Sequence, residues 1–165
     1  MKPSKITKIT AKKAWFMQIL PFVGLTWCGV VYVKNALYEW QINQSDGIDS
    51  VFENHELYHV RQAESTDDSW FKFYLLYLLQ WIQNLPLMFV NLYAPYKFMP
   101  FEMEAFRYER HKQAPSGKSE RWKEMKKISL KERFKLAKNW YKYSKGTMPF
   151  GDFLKSNNVK WTTPT

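Results

Sequence analysis

The sequence predicts a mainly α fold with a small β element, the α+β class, and three observations carry that expectation. Long apolar segments follow recognisable helix-start signals, one short run rich in Val and Tyr is punctuated by Gly, and 165 residues suit a single buried core. Charged residues make up 24% of the chain and hydrophobic residues 45%, which excludes wholesale disorder and a polytopic channel. Aromatics are high at 18%, a supply of apolar surface suited to a core, an interface or a membrane boundary. Net charge is +10 and is concentrated towards the ends: 1–13 holds five Lys and no acid, and basic residues dominate again from Lys118 to Lys160. Such a balance favours anionic partners. The single cysteine, Cys28, rules out an intrachain disulfide framework.

The first apolar run, Ala14 to Val33, follows the Lys-rich start and must be weighed as a signal or membrane anchor. Gln18, Pro21, Gly24 and Gly29 interrupt it and no small-residue cleavage site closes it, so its second half reads as one or two short buried strands, with membrane association as the alternative. Ser45-Asp46-Gly47 is a turn signal, and Ser50 with Glu53 forms a capping box that opens a helix from about Val51 to Ala63. Trp70 to Leu85 has helical composition and is apolar on most faces. Lys72, Gln80, Gln83 and Asn84 argue for a core helix over a bilayer span. Pro100 is placed as the first residue of a third helix reaching about Lys112, and Gln113 to Gly117 ends it. A basic helix is expected around Ser119 to Lys127, and Ser129 with Glu132 caps another to about Tyr143. The tail after Gly146 shows no clear periodicity. The resulting organisation is a basic tail (1–13), a metal-binding domain (14–112) and a basic helical extension (113–165).

Residues 55–59 read His55-Glu56-Leu57-Tyr58-His59, an H-E-x-x-H pattern placed by the capping box in the second turn of a helix. A spacing of four puts both imidazoles on one face, able to share a tetrahedral Zn²⁺, with Glu56 in reach of a metal-bound water as general base. A third ligand is needed. The one other histidine is His111, so a carboxylate from the Pro100 helix is expected. Glu102 and Glu104 lie about 200° apart on the helical wheel, so only one can face the metal. Glu102 shares its face with Phe106 and Glu109 and is favoured, with Glu104 as the alternate.

These motifs carry a resemblance. N-H-E-x-x-H-x-R-Q (Asn54 to Gln62), F-Y-x-x-Y (Phe73 to Tyr77) and P-F-E-x-E-A-F (Pro100 to Phe106) resemble a family of small zincin-like, gluzincin-type proteins of Bacteroidetes and their phages, over about Leu20 to Glu109. The resemblance implies a zincin-like helical core with an HExxH helix and a third-ligand helix, metal ligands His55, His59 and a glutamate, and Glu56 as base. Related membrane-associated gluzincins often carry Asp where this chain has Phe106, so a carboxylate that orients a ligand histidine must come from elsewhere.

The functional expectation is a zinc-dependent hydrolase, most simply a metallopeptidase acting on protein or peptide, with Tyr58, Arg61, Tyr108 and His111 as candidates to stabilise the transition state. The alternative, of a different class, is a non-catalytic structural or assembly protein, such as a virion component, that keeps the fold and metal site and docks through basic and aromatic surfaces. Either a cytoplasmic or a virion-associated location is compatible with the sequence. Nucleic-acid binding by the basic stretch from Lys118 to Lys145 ranks below both, because no recognition motif appears.

Overall fold

The computed structural model describes residues 2–6, 10–19, 24–34, 50–110 and 117–157, and it is mostly helical with one small sheet. The sheet joins β1 (Thr10–Lys13), β2 (Gly24–Trp27) and β3 (Val30–Val33) in the order β1-β3-β2. β2 and β3 form an antiparallel hairpin, with Gly24 opposite Val33 and Trp27 opposite Val30. Its two-residue turn, Cys28-Gly29, has positive φ at both positions (50° and 83°), the backbone that matches the right-handed twist of the flanking strands. Gly29 is required twice over, since a Cβ there would lie 2.3 Å from Cδ1 of buried Ile6. The short strands expected in the second half of 14–33 are present, paired as a hairpin that leaves Trp27 and Leu25 exposed, and Trp15–Gln18 forms a 3-10 turn. No described helix is long and apolar enough to cross a membrane.

β1 falls within 1–13, where the sequence predicts a basic tail. Its residues pair in parallel with β3, Thr10 opposite Val30 through Lys13 opposite Val33, although a Lys-rich segment reads as solvated tail. Just before it, Ile6 is 3% exposed and belongs to the core, and Arg61 Nη2 donates to the Ile6 carbonyl at 3.0 Å.

The helices are α1 (Ser50–Ser65), α2 (Trp70–Asn84), the short α3 (Ala94–Lys97), α4 (Pro100–Tyr108), α5 (Trp122–Lys126), α6 (Leu130–Asn139) and α7 (Phe150–Ser156). The turn at Ser45 to Gly47, the Ser50 side chain of the first capping box, and His111 lie outside the described residues and side chains. The Ser129 capping box forms in full: Ser129 Oγ accepts from the Glu132 amide, and Glu132 reaches back to the Ser129 amide. α4 stops at Tyr108, short of Lys112, and α6 passes at Trp140 into a single π turn, Trp140–Ser144. The tail also holds a helix the sequence did not reveal. α7 is two turns long, too short to form by propensity, and forms because Phe150, Phe153 and Leu154 pack inward. Its close approach to α4 depends on Gly151, where a Cβ would meet the Phe106 carbonyl at 2.3 Å.

Two cores meet along α4. One gathers Ile6, Val31, Val33, Leu57, Val60, Phe73, Phe101 and Trp122 from the sheet, α1, α2, α4 and α5. The other gathers Leu87, Phe98, Met103, Met125, Trp140, Phe150 and Phe153. α2 departs from the expected core helix: it buries Trp70 and Phe73 but leaves Phe71, Leu75, Leu78, Leu79 and Ile82 exposed.

Candidate metal centre

α1 supplies the first half of the site. His55 and His59 are one helical turn apart, so both rings project from one face, and both residues are 6% exposed. α4 supplies the second half. Its Pro100 start is compatible with a first helical turn, Phe101 locks it by packing on Phe73 and Trp122, and Glu102 is thereby turned towards α1. His55 Nε2 stands 3.3 Å from Glu102 Oε2, and His59 Nε2 stands 3.2 Å from Glu102 Oε1. One ligand atom from each of the three residues can be chosen so that all lie within 4.8 Å of one another. Donor atoms this close together could in principle hold a metal ion between the three residues.

The outer partners decide which ring nitrogens face inward. Glu109 Oε2 lies 3.0 Å from His55 Nδ1, and a carboxylate can only accept, so Nδ1 carries the proton and Nε2 turns to Glu102. This is the orienting carboxylate absent at Phe106. Phe106 instead packs its ring against His55 at 4.6 Å. For His59 the fixing is indirect. Gln62 Nε2 donates to the Phe101 carbonyl at 2.9 Å and to Glu104 Oε2 at 2.8 Å, which leaves Gln62 Oε1 to accept from His59 Nδ1 at 2.9 Å. Glu104 therefore points away from the imidazoles, held by Gln62 and by the hydroxyl of Ser119. Burial pushes its carboxyl above the ordinary value.

Three acceptors thus converge on one point, an unfavourable arrangement unless a proton or cation sits among them. Glu102 Oε2 is buried and has no well-directed hydrogen-bond donor among the described residues. In the metal-free chain protons fill the role. Burial pulls His55 down, but the Glu102 and Glu109 carboxylates outweigh it and push it up to about 10. His59 is likewise pulled down by burial and raised on balance by Glu102. Burial pushes Glu102 up, yet the two imidazoles hold it well below the usual carboxylate range. The donor set, its separations and the orphaned oxygen fit a metal ion.

Glu56 is buried beside this cluster, and its Oε2 accepts from the Thr26 hydroxyl of β2. Both residues line a cavity of about 310 Å³ that also reaches His59 and Glu102 and is walled largely by apolar and aromatic side chains. Two of these are tyrosines to which the sequence reading gave no role. Tyr77 Oη donates to Glu102 Oε1 at 2.6 Å, and Tyr96 faces the same carboxylate; burial drives both phenols well above 10, so they stay protonated donors. Gln62, three residues after His59, could have been flagged by helical spacing, whereas Tyr77 lies on another helix and its approach to Glu102 is tertiary.

The remaining candidates occupy other places. Tyr58 and Tyr108 stack on each other with centroids 5.5 Å apart, Arg121 lies over the Tyr108 ring, and neither tyrosine lines the cavity. Arg61 bonds Glu64 at 3.1 Å and the Ile6 carbonyl. Searches of protein-family models, curated proteins and solved structures return no match, so the buried His55, His59 and Glu102 group, which could hold a metal ion, rests on this chain's own geometry.

Proposed function

We propose that the chain is a zinc-dependent hydrolase with a zincin-like core, and specifically a metallopeptidase. The observation that supports this most is the convergence of two helix-borne imidazoles and Glu102, with Glu56 beside them at the wall of a largely apolar cavity. A bound Zn²⁺ supplies Lewis acidity, acidifying a water and polarising a carbonyl. His55, His59 and Glu102 hold the ion, and Glu109 and Gln62 fix the two rings. Thr26 anchors one oxygen of Glu56, leaving the other to take a proton from the attacking water and pass it to the leaving amine. Tyr77, whose hydroxyl donates to Glu102 at 2.6 Å, and Tyr96, which faces the same carboxylate, would orient Glu102 as a ligand.

A peptide substrate is favoured by β2. It is the last strand in the sheet order among the described residues, and Gly24 to Trp27 line the cavity, so its outer edge offers backbone groups to an extended chain. Glu56→Gln should keep zinc but abolish hydrolysis of a fluorogenic peptide pool, because an amide cannot accept the proton. Activity that survives this change would remove Glu56 from the mechanism. The second reading, a non-catalytic docking protein, is favoured by the exposed apolar face of α2. Zinc-loaded wild type that cleaves nothing in the pool would move the assignment to it.

A further inference from the structure

α2 buries Trp70 and Phe73 near its start, but its later turns reverse the polarity expected of a helix on a water-facing surface. Its inward side carries Gln80 and Asn84, 3% and 0% exposed, both spent on fixing neighbours: Gln80 Oε1 accepts from the Phe101 amide at 3.1 Å, and Asn84 bonds the Pro95 carbonyl and Arg133. Its outward side carries Phe71, Leu75, Leu78, Leu79 and Ile82. The following 3-10 turn, Leu85–Phe89, and the residues after it extend this surface with Phe89, 91% exposed, and Leu92, 75% exposed. Contiguous apolar surface of this kind marks a docking site.

We infer that this face rests on an anionic lipid surface, with α2 lying in the interface plane. Charge complementarity selects that occupant. From Trp70 to Met99 there is no Asp or Glu; Lys72 is paired with Asp67 and Lys97 lies over the Phe106 ring, so the face itself carries no opposing charge, and the whole chain is +10. Helix α6, with Lys131, Lys135 and Lys138 exposed, packs against the 3-10 turn and adds cations beside the face. Trp81 and Tyr93, 40% and 50% exposed, are amphipathic rings of the kind that settle at headgroup level. At about 1.5 Å per residue α2 is about 22 Å long, short of the roughly 30 Å hydrocarbon layer, so it lies on the bilayer without spanning it. Leu78 and Trp81 belong both to this face and to the cavity wall, so the cavity mouth adjoins the lipid surface. Given the hydrolase reading, its substrates are then peptides held at a membrane; the docking itself does not depend on that reading.

Flotation of the full chain with phosphatidylcholine vesicles, with and without phosphatidylserine, tests the inference without requiring zinc or turnover. Binding should need the anionic lipid, weaken with salt, and fall at least about tenfold in Phe71→Ser/Phe89→Ser, which removes two rings exposed in the free protein. An unchanged thermal melt would show that the variant is folded. Failure to float with anionic vesicles overturns the inference. If sedimentation then shows a dimer that the double variant dissociates, the occupant is a second copy of the chain. Vesicle binding indifferent to the double variant overturns the assignment of this face.

Discussion

The two cores that share α4 are built on opposite terms. The C-terminal core around Leu87, Phe98, Met103, Trp140, Phe150 and Phe153 is apolar apart from the buried Arg133 that bonds Asn84 and the Met125 carbonyl, with aromatic rings in edge and stacked contact at 5.0–6.1 Å around Phe150. Beside the N-terminal core, five ionisable side chains, His55, Glu56, His59, Glu102 and Glu104, are each no more than 6% exposed. Burying such groups costs several kcal/mol unless each is partnered; Glu104 is held by Gln62 and Ser119, whereas Glu102 Oε2 has no hydrogen-bond partner among the described residues. Both cores hold the fold, and beside the N-terminal one lies a buried His55, His59 and Glu102 group that could hold a metal ion.

Each core can be broken separately. Phe153→Ala removes a ring packed on Trp140 and Phe150 and should cost about 3–5 kcal/mol in denaturant unfolding, while zinc stoichiometry in the folded fraction stays unchanged. Equal loss of metal would mean that the two cores are not independent. Glu109→Gln keeps the volume but weakens the acceptor on His55 Nδ1, so zinc affinity should fall 10- to 100-fold, read by competition with a chromogenic chelator. An unchanged affinity would leave His55 oriented by packing on Phe106 alone.

The sign of the pH dependence follows from His55, which faces Glu102, Glu109 and Glu56. Its value of about 10 in the folded metal-free chain lies above the ordinary 6.5, so its contribution is fully present below pH 6.5 and is lost as pH rises through about 10. Between about pH 6.5 and 8 the chelated protein should lose about 2 kcal/mol, a fall of several degrees in Tm, and bound zinc should flatten the trend. A chelated protein whose Tm rises over that range would contradict the protonated imidazole.

How much of this was legible divides along the same line. H-E-x-x-H at spacing four and a glutamate three residues before Ala105 were visible because helical geometry turns spacing directly into a shared face. Glu109 sits seven residues after Glu102 on the same stripe, so its place was visible though its partner was not. What escaped needed tertiary knowledge. β1 reads as tail until β3 is seen to accept it, and α7 gains its order from α4 and Trp140. The outward face of α2 was hidden because apolar composition alone does not say which side of a helix the rest of the chain covers, and Gln80 and Asn84 turn out to face inward.

The central claim is that His55, His59 and Glu102 together bind a metal, and elemental analysis of the purified protein beside Glu102→Ala and Glu104→Ala tests it most directly. The account predicts about one zinc per wild-type chain, none in Glu102→Ala, and retained zinc with at most 10- to 100-fold weaker binding in Glu104→Ala, where only the Gln62 support of His59 is lost. A natively folded wild type that takes up no zinc, or a Glu102→Ala protein that holds it as tightly as wild type, would contradict it.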